Sequence, residues 1–332
     1  MSKITFDEHL IEWSEIEKHQ WNAALLGNGF SANIWSKFRY PSLYDVAKSS
    51  DVASPLKEKS INLFKKLDSK NFEEVLRILY HARLVDEQLG SPQIQQIEEL
   101  YVEIKNSLAS AVNYSHVPYE KTETAKINEA FRGFKNIFTT NYDLIPYWAI
   151  MYDLWKFKDF FWSQGTCFDP KNTSVIGDSC VISFIHGAIH LVELPDGTTK
   201  KLAANNGNKL GNLFDLNHPE HFPLFISEGS SEKKLARIMK NDYLRFSFEK
   251  LRKMDGNIIV IGQSLHADYD QHLIDALAIS NIKSIAISVW PHQAPEEIVH
   301  FKTRINRDLS MKDLYFFNST THPLGSSTLN NE

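Results

Sequence analysis

Seven short apolar runs punctuate the chain, at residues 21–26, 136–139, 181–185, 222–226, 257–261, 283–289 and 314–317. Most are rich in Ile, Val or Phe, the first being carried by Trp, Ala and Leu, and they are bounded by Gly, Asn or Pro, which is the pattern of strands buried on both faces. Helical patterns lie between most of them. Residues 232–253 repeat apolar side chains at Leu235, Ile238, Met239, Tyr243, Leu244 and Phe246, and 271–278 and 295–305 follow the next two runs. Strand–helix–strand alternation predicts an α/β fold with a doubly wound, mostly parallel, Rossmann-like sheet. The stretch 44–134 interrupts that rhythm. It holds no strand-like run, and segments such as FEEVLRILYHARLV and IQQIEELYVEIKNSLASAV have helical spacing. The chain therefore divides into a Rossmann-like unit (1–43 and 135–320), a helical insertion (44–134) suited to act as a lid or oligomer contact, and a polar tail (321–332). Asp196-Gly197 predicts a hairpin turn. The polar composition from Asn318 onward predicts a tail that does not pack.

Composition narrows the function classes. A chain of 332 residues, 42% hydrophobic and 12% aromatic, can bury a large core. A net charge of −5 gives no positive field for nucleic acid, so direct nucleic-acid binding is disfavoured. Cys167 and Cys180 are the only cysteines. They exclude a disulfide scaffold and a four-cysteine zinc site, and they point to a reducing, cytoplasmic location. No apolar run approaches the roughly 20 residues that span a bilayer, and the N-terminal MSKITFDEHLIEW is not a signal peptide. No membrane contact is expected.

In an open α/β sheet, ligands sit beyond the carboxyl ends of the strands, so the residues just after each run are where chemistry is sought. Four such ends are small, polar or titratable: Gly27-Asn28-Gly29-Phe30-Ser31, Thr139-Thr140-Asn141-Tyr142-Asp143, His186-Gly187-Ala188-Ile189-His190 and Gly262-Gln263-Ser264-Leu265. Gly27 and Gly29 allow unusual backbone angles and close approach of a phosphate, while Ser31 and the N–H groups of the next helix suit an anion. A turn glycine also serves geometry alone, and Ala32 stands where GxGxxG has its third glycine. TTNYD packs four polar side chains into five residues; an Asx turn or helix cap accounts for one or two of them. His186 follows an apolar strand, and the glycine after it leaves room for a ligand. A lone histidine there is otherwise a satisfied core residue.

Taken together and in order, LLGNGFS, FTTNYD, FIHG and IGQSL resemble the sirtuin-type family, and more closely the SIR2-like domains of bacterial anti-phage defence, which cleave NAD. The resemblance runs over most of the chain and extends to PLFISEG and IGQSLHADYDQHL. It implies that Gly27, Asn28, Gly29, Phe30 and Ser31 hold the NAD phosphates, that Thr140, Asn141 and Asp143 lie at the nicotinamide ribose, that His186 is catalytic, and that Gly262 and Ser264 contact the adenosine half. Two isolated cysteines cannot build the zinc module of the protein deacetylases, so deacylation of lysine is the less favoured activity and no metal is implied. The family's PDFR segment corresponds to WSKFRYPSL, with Phe38-Arg39 displaced by one position.

The implied reaction is hydrolysis of NAD to nicotinamide and ADP-ribose. Positive charge grows on the ribose as the bond breaks, so the site has to stabilise it and present water. Asn141 would orient the water or a ribose hydroxyl, Asp143 would stabilise the charge, and His186, with an ordinary pKa of about 6.5, would accept a proton. The resemblance further implies a homo-oligomeric defence effector, switched on by assembly or by a partner such as a helicase-like ATPase or another defence protein. Two other readings stand beside it. A sensor that binds NAD or ADP-ribose without cleaving it would use the same glycines and serines. A metal hydrolase could use His186 and His190, or His266, Asp268, Asp270 and His272.

Overall fold

Runs that are apolar on both faces have to lie between layers, and the computed structural model sets them there. It describes residues 7–39, 42–162, 164–172, 177–204, 213, 221–226 and 229–330. The central sheet is built from β1 (Ala23–Leu26), β2 (Asn136–Thr139), β3 (Phe157–Lys158), β4 (Cys180–Phe184), β8 (Asp255–Ile261), β9 (Asn281–Val289) and β10 (Asp313–Asn318). Its order is β10-β9-β8-β1-β2-β4-β3 and every pairing is parallel. Without the two-residue edge strand β3, this is the doubly wound order 3-2-1-4-5-6. All four residues of β1 are sealed from solvent, as the central strand of a sheet covered on both faces requires.

The insertion is helical throughout its regular elements: Leu43–Ala47, Glu58–Lys66, Phe72–Leu89, Ile94–Ser115 and Thr124–Phe131. Its longest pair is punctuated as the sequence dictates. The Asn71 side chain accepts from the Glu73 N–H at the start of Phe72–Leu89, and Gly90 ends that helix at φ +62°. Phe64, Phe72, Ile104, Leu108 and Phe131 join the same core as the sheet, so the insertion is packed into the body of the protein.

Four expectations need correction. The run 222–226 is a strand, β7 (Phe222–Phe225), but it does not belong to the parallel sheet. It pairs antiparallel with β5 (Gly187–Glu193), which also pairs with β6 (Thr199–Lys201), in a separate three-stranded sheet. Residues 187–190, which the sequence marks as the polar end of a strand, begin a strand of their own, paired with β6 across the hairpin and with β7 from farther along the chain. The Asp196-Gly197 hairpin is present, closed by Leu194 N–H to Thr198 O at 2.9 Å.

Second, the room expected beside His186 is filled. Gly187 has φ +75°, and a Cβ there would lie 2.1 Å from the Leu224 carbonyl oxygen. This glycine lets the chain leave the central sheet and approach β7 closely. Third, 232–253 forms two helices, Ser231–Lys240 and Asp242–Arg252. Asn241 leaves helical geometry at φ −105°, ψ 132°, and its Oδ1 accepts from the Leu244 N–H. Fourth, the polar tail packs as far as residue 330. Leu324 and Leu329 are buried, and Asn33 Nδ2 donates to the Ser326 carbonyl at 3.0 Å.

Candidate active site

A cavity of about 940 Å³ opens beyond the carboxyl ends of β1, β2, β4, β8 and β9. Asn28, Gly29 and Phe30 enter it after β1, Thr140, Asn141 and Asp143 after β2, His186 after β4, and Gly262 and Ser264 after β8. Arg39 lies on its rim. Gly27 and Ser31 do not line it; Ser31 is sealed from solvent and bonded within the protein. Among the described residues, none of 44–134 lines the cavity, and the insertion reaches the site from behind.

The glycines are needed for contact rather than for unusual dihedrals. Neither Gly27 nor Gly29 has positive φ. A Cβ on Gly29 would sit 2.7 Å from Gly262 Cα, and one on Gly27 would sit 2.7 Å from Gln263 Cα. Gly29 N–H donates to the Gly262 carbonyl at 2.7 Å, and Phe30 N–H to the Gly27 carbonyl at 3.0 Å. Two of the N–H groups expected to face an anion are thus engaged within the protein. The turn after β1 and the turn after β8 are pressed together, with Gly262 itself at φ +65°. Gly262 N–H donates to Ser288 Oγ at 3.0 Å. Leu265, the residue after Ser264, holds φ +48° despite its side chain; it is buried, and its carbonyl accepts from Arg304.

TTNYD does more than cap a helix. Asn141 Nδ2 donates to the Gly27 carbonyl at 3.0 Å and to Ser31 Oγ at 2.8 Å. That pins the amide orientation, because a flipped Asn141 would set oxygen against oxygen. Its Oδ1 is then a buried acceptor with no partner. An unpaired buried acceptor costs about 1–3 kcal/mol, which a ligand hydroxyl or water would recover. Ser31 Oγ passes the chain on, donating to Asp143 Oδ2 at 2.6 Å, while Asp143 Oδ1 accepts from the Ile145 N–H at 2.9 Å. Burial outweighs these bonds and pushes the Asp143 carboxyl up to about 6. Behind the loop, His116 at the end of helix Ile94–Ser115 accepts the Leu144 N–H on Nε2 at 2.9 Å. Thr140 Oγ1 reaches Gln263 Oε1 at 2.9 Å, joining the ends of β2 and β8.

His186 differs from the expected proton acceptor of ordinary basicity. It is buried, and desolvation, reinforced by neighbouring His272 and Lys234, holds its pKa well below 6.5. The imidazole is neutral at physiological pH. Its Nε2 lies 2.9 Å from His272 Nε2, and His272 Nδ1 lies 2.8 Å from Ser231 Oγ.

The residues of the metal reading separate. His190 lies in β5 between the Tyr147 and Phe184 rings, with neither nitrogen bonded. His266 caps its helix, accepting from the Asp268 N–H, and Asp268 is exposed. Asp270 accepts from Ser264 Oγ at 2.9 Å and from the His266 N–H at 3.2 Å, so it braces the turn after β8. Among the described residues, no three His, Cys, Asp or Glu side chains gather as a metal site.

The model of a family described as a domain of unknown function, DUF4917, matches residues 24–324. The chain belongs to the DUF4917 family. The match reaches every strand of the central sheet and contains each of the four polar strand ends, so those ends lie within the DUF4917 domain. No curated protein matches the chain. Among the described residues, no helix is long and apolar enough to cross a membrane.

Several cavity residues escaped the strand-end search. Ser288 and Trp290 follow the same rule at the end of β9, and Ser319 does so after β10; a full pass over all the runs would have found them. Lys234 sits on helix Ser231–Lys240, 3.7 Å from Asp270, and only the packing of that helix brings it in. Leu324 and Gly325 belong to the tail that was expected to be loose, and they form part of the wall.

Proposed function

We propose that this DUF4917 protein binds NAD across the carboxyl ends of β1, β2, β4 and β8 and hydrolyses its nicotinamide–ribose bond, as the sirtuin-type resemblance implies. The observation that carries the reading is convergence. Asn141 and Asp143 from the end of β2 and His186 from the end of β4 face one cavity beside the central strand of a 3-2-1-4-5-6 sheet, where dinucleotides sit in such folds. The cavity volume falls in the range of cofactor sites.

In this reaction the bond between ribose C1′ and the pyridinium nitrogen breaks, its electron pair neutralises the nicotinamide, and water adds to C1′. One proton is released. Asn141 Oδ1, the unpaired acceptor, supports the orientation of that water or of a ribose hydroxyl. Asp143, raised to about 6, has the basicity of a group that takes the water's proton near neutral pH and, once ionised, favours the cationic ribose. His186 is the third polar group at that end, and Arg39 on the rim is a cation for the phosphates. The role of a defence effector, an oligomer activated by a partner, extends the same resemblance.

Calorimetry with NAD, and chromatography of NAD incubated with the protein, test the reading. Release of nicotinamide and ADP-ribose is expected, and failure to bind NAD would remove the proposal. Binding of ADP-ribose and NAD with NAD left intact would establish the sensor instead.

A further inference from the structure

Behind His186 the structure holds a chain of three side chains whose protons can be counted. Ser231 Oγ accepts the His272 backbone N–H at 2.8 Å and lies 2.8 Å from His272 Nδ1. His272 Nε2 lies 2.9 Å from His186 Nε2. His186 Nδ1 has no hydrogen-bond partner among the described residues, and His186 lines the cavity, so with Nε2 engaged Nδ1 is the ring nitrogen left to a ligand. Ser231 and His272 are themselves buried, so their protons need partners inside the protein.

Only one arrangement of neutral rings gives every proton within the chain an acceptor among the described residues and leaves the outermost one to the cavity. If the Ser231 hydroxyl donates to His272 Nδ1, then His272 carries its proton on Nε2 and donates it to His186 Nε2. His186 then carries its own proton on Nδ1. In the reverse arrangement His272 Nδ1–H donates to Ser231 Oγ, and the Ser231 hydroxyl proton has no acceptor among the described residues. The surroundings keep the pair uncharged: burial lowers His272 to about 4, Lys234 on one side opposes protonation, and Asp270 on the other only partly offsets it.

We infer that Ser231 and His272 are positioning residues that hold His186 in the tautomer with a proton on Nδ1, so that His186 meets its ligand as a hydrogen-bond donor to an oxygen rather than as a base. Within the proposed function, on which this rests only for the ligand's identity, the oxygen is a hydroxyl of the nicotinamide ribose. Donor His186 and acceptor Asn141 Oδ1 then make a complementary pair for a sugar. Neither Ser231 nor His272 is needed to touch the sugar.

The test begins with full-length protein labelled with ¹⁵N-histidine, without ligand. Two-bond ¹H–¹⁵N spectra are expected to show His186 protonated on Nδ1 and His272 protonated on Nε2. The opposite pattern, or a charged pair at pH 7, overturns the inference. Ser231→Ala removes the terminal donor and is expected to split both rings between tautomers, whereas Ser231→Thr restores the single pattern. In turnover, S231A is expected to lower kcat by roughly tenfold with KM little changed, following the lost fraction of competent tautomer, and S231T to recover it. An S231A protein in which each ring keeps the single wild-type tautomer refutes the role of Ser231. The spectra need no NAD, so the expected tautomers in a protein that leaves NAD uncleaved would count against the proposed reaction alone.

Discussion

Asp143 offers a measurement of the site's electrostatics that does not depend on any reaction. Its carboxyl is buried beneath the TTNYD loop and raised from 3.8 to about 6, with desolvation the largest cause and the Ser31 and Ile145 hydrogen bonds opposing it. That rise corresponds to about 3 kcal/mol between the two protonation states. Between about pH 4 and pH 6 the folded protein holds a proton that the unfolded chain has released, so this group's contribution to stability falls as pH rises through that window and is level above it. Asp143→Asn cannot ionise. The variant's amide oxygen can still accept from the Ile145 N–H, but its NH₂ turns a second donor toward Ser31, at a cost of about 1 kcal/mol that is the same at every pH. The stability difference between variant and wild type should therefore move in the variant's favour by about 2.5 kcal/mol from pH 4 to pH 7.5. Urea unfolding followed by tryptophan fluorescence measures it, since Trp21 and Trp148 are buried in the core. A difference that stays constant across that range would mean the Asp143 carboxylate is not disfavoured by burial, and the assignment of Asp143 as a base near neutral pH would go with it.

Asn141→Ala should lower NAD hydrolysis at least roughly a hundredfold and cost about 1–3 kcal/mol of stability, because the Gly27 carbonyl and Ser31 both lose a donor; product chromatography and urea midpoints separate the two effects. Gly262→Ala should destabilise the fold by more than the roughly 1–2 kcal/mol of left-handed strain alone, since its Cβ would lie 2.2 Å from the Phe30 nitrogen. Gly133→Ala, whose Cβ meets only the Ala130 oxygen at 3.7 Å, should be tolerated, and thermal unfolding compares them. Burial lowers His116 to about 4 and both His190 and His322 to about 3. Their contribution is complete above about pH 6.5 and is lost as pH falls toward 4, so the urea midpoint should drop on acidification. His116→Gln, whose amide oxygen can still accept from Leu144, should flatten part of that drop.

The sequence by itself determined which residues had to be buried and in what order the strands came. Runs such as NIIVI and SIAISV can only be interior strands, and LLGNGFS, TTNYD and IGQSL are polar where an α/β sheet opens to ligand. Asn141, Asp143, His186, Gly262 and Ser264 were legible for that reason, because a strand end is a local feature. What depends on partners from far along the chain was not legible. GAIHLVE starts as early as Gly187 because β7 reaches it from 222–225, and Gly29 is required by the backbone of Gly262, which lies 233 positions away in the chain. Ser31 shows the same limit: its hydroxyl suits an anion on paper, yet the fold points it at Asp143. The tail is polar in composition but keeps Leu324 and Leu329, and those two side chains suffice to dock it once a core exists. The basicity of His186 and Asp143 was the least visible property of all. A pKa is set by how much water remains around a group and by which charges lie near it, and these are decided only when Asp143 is buried against Ser31 and when Lys234 and His272 are packed beside His186.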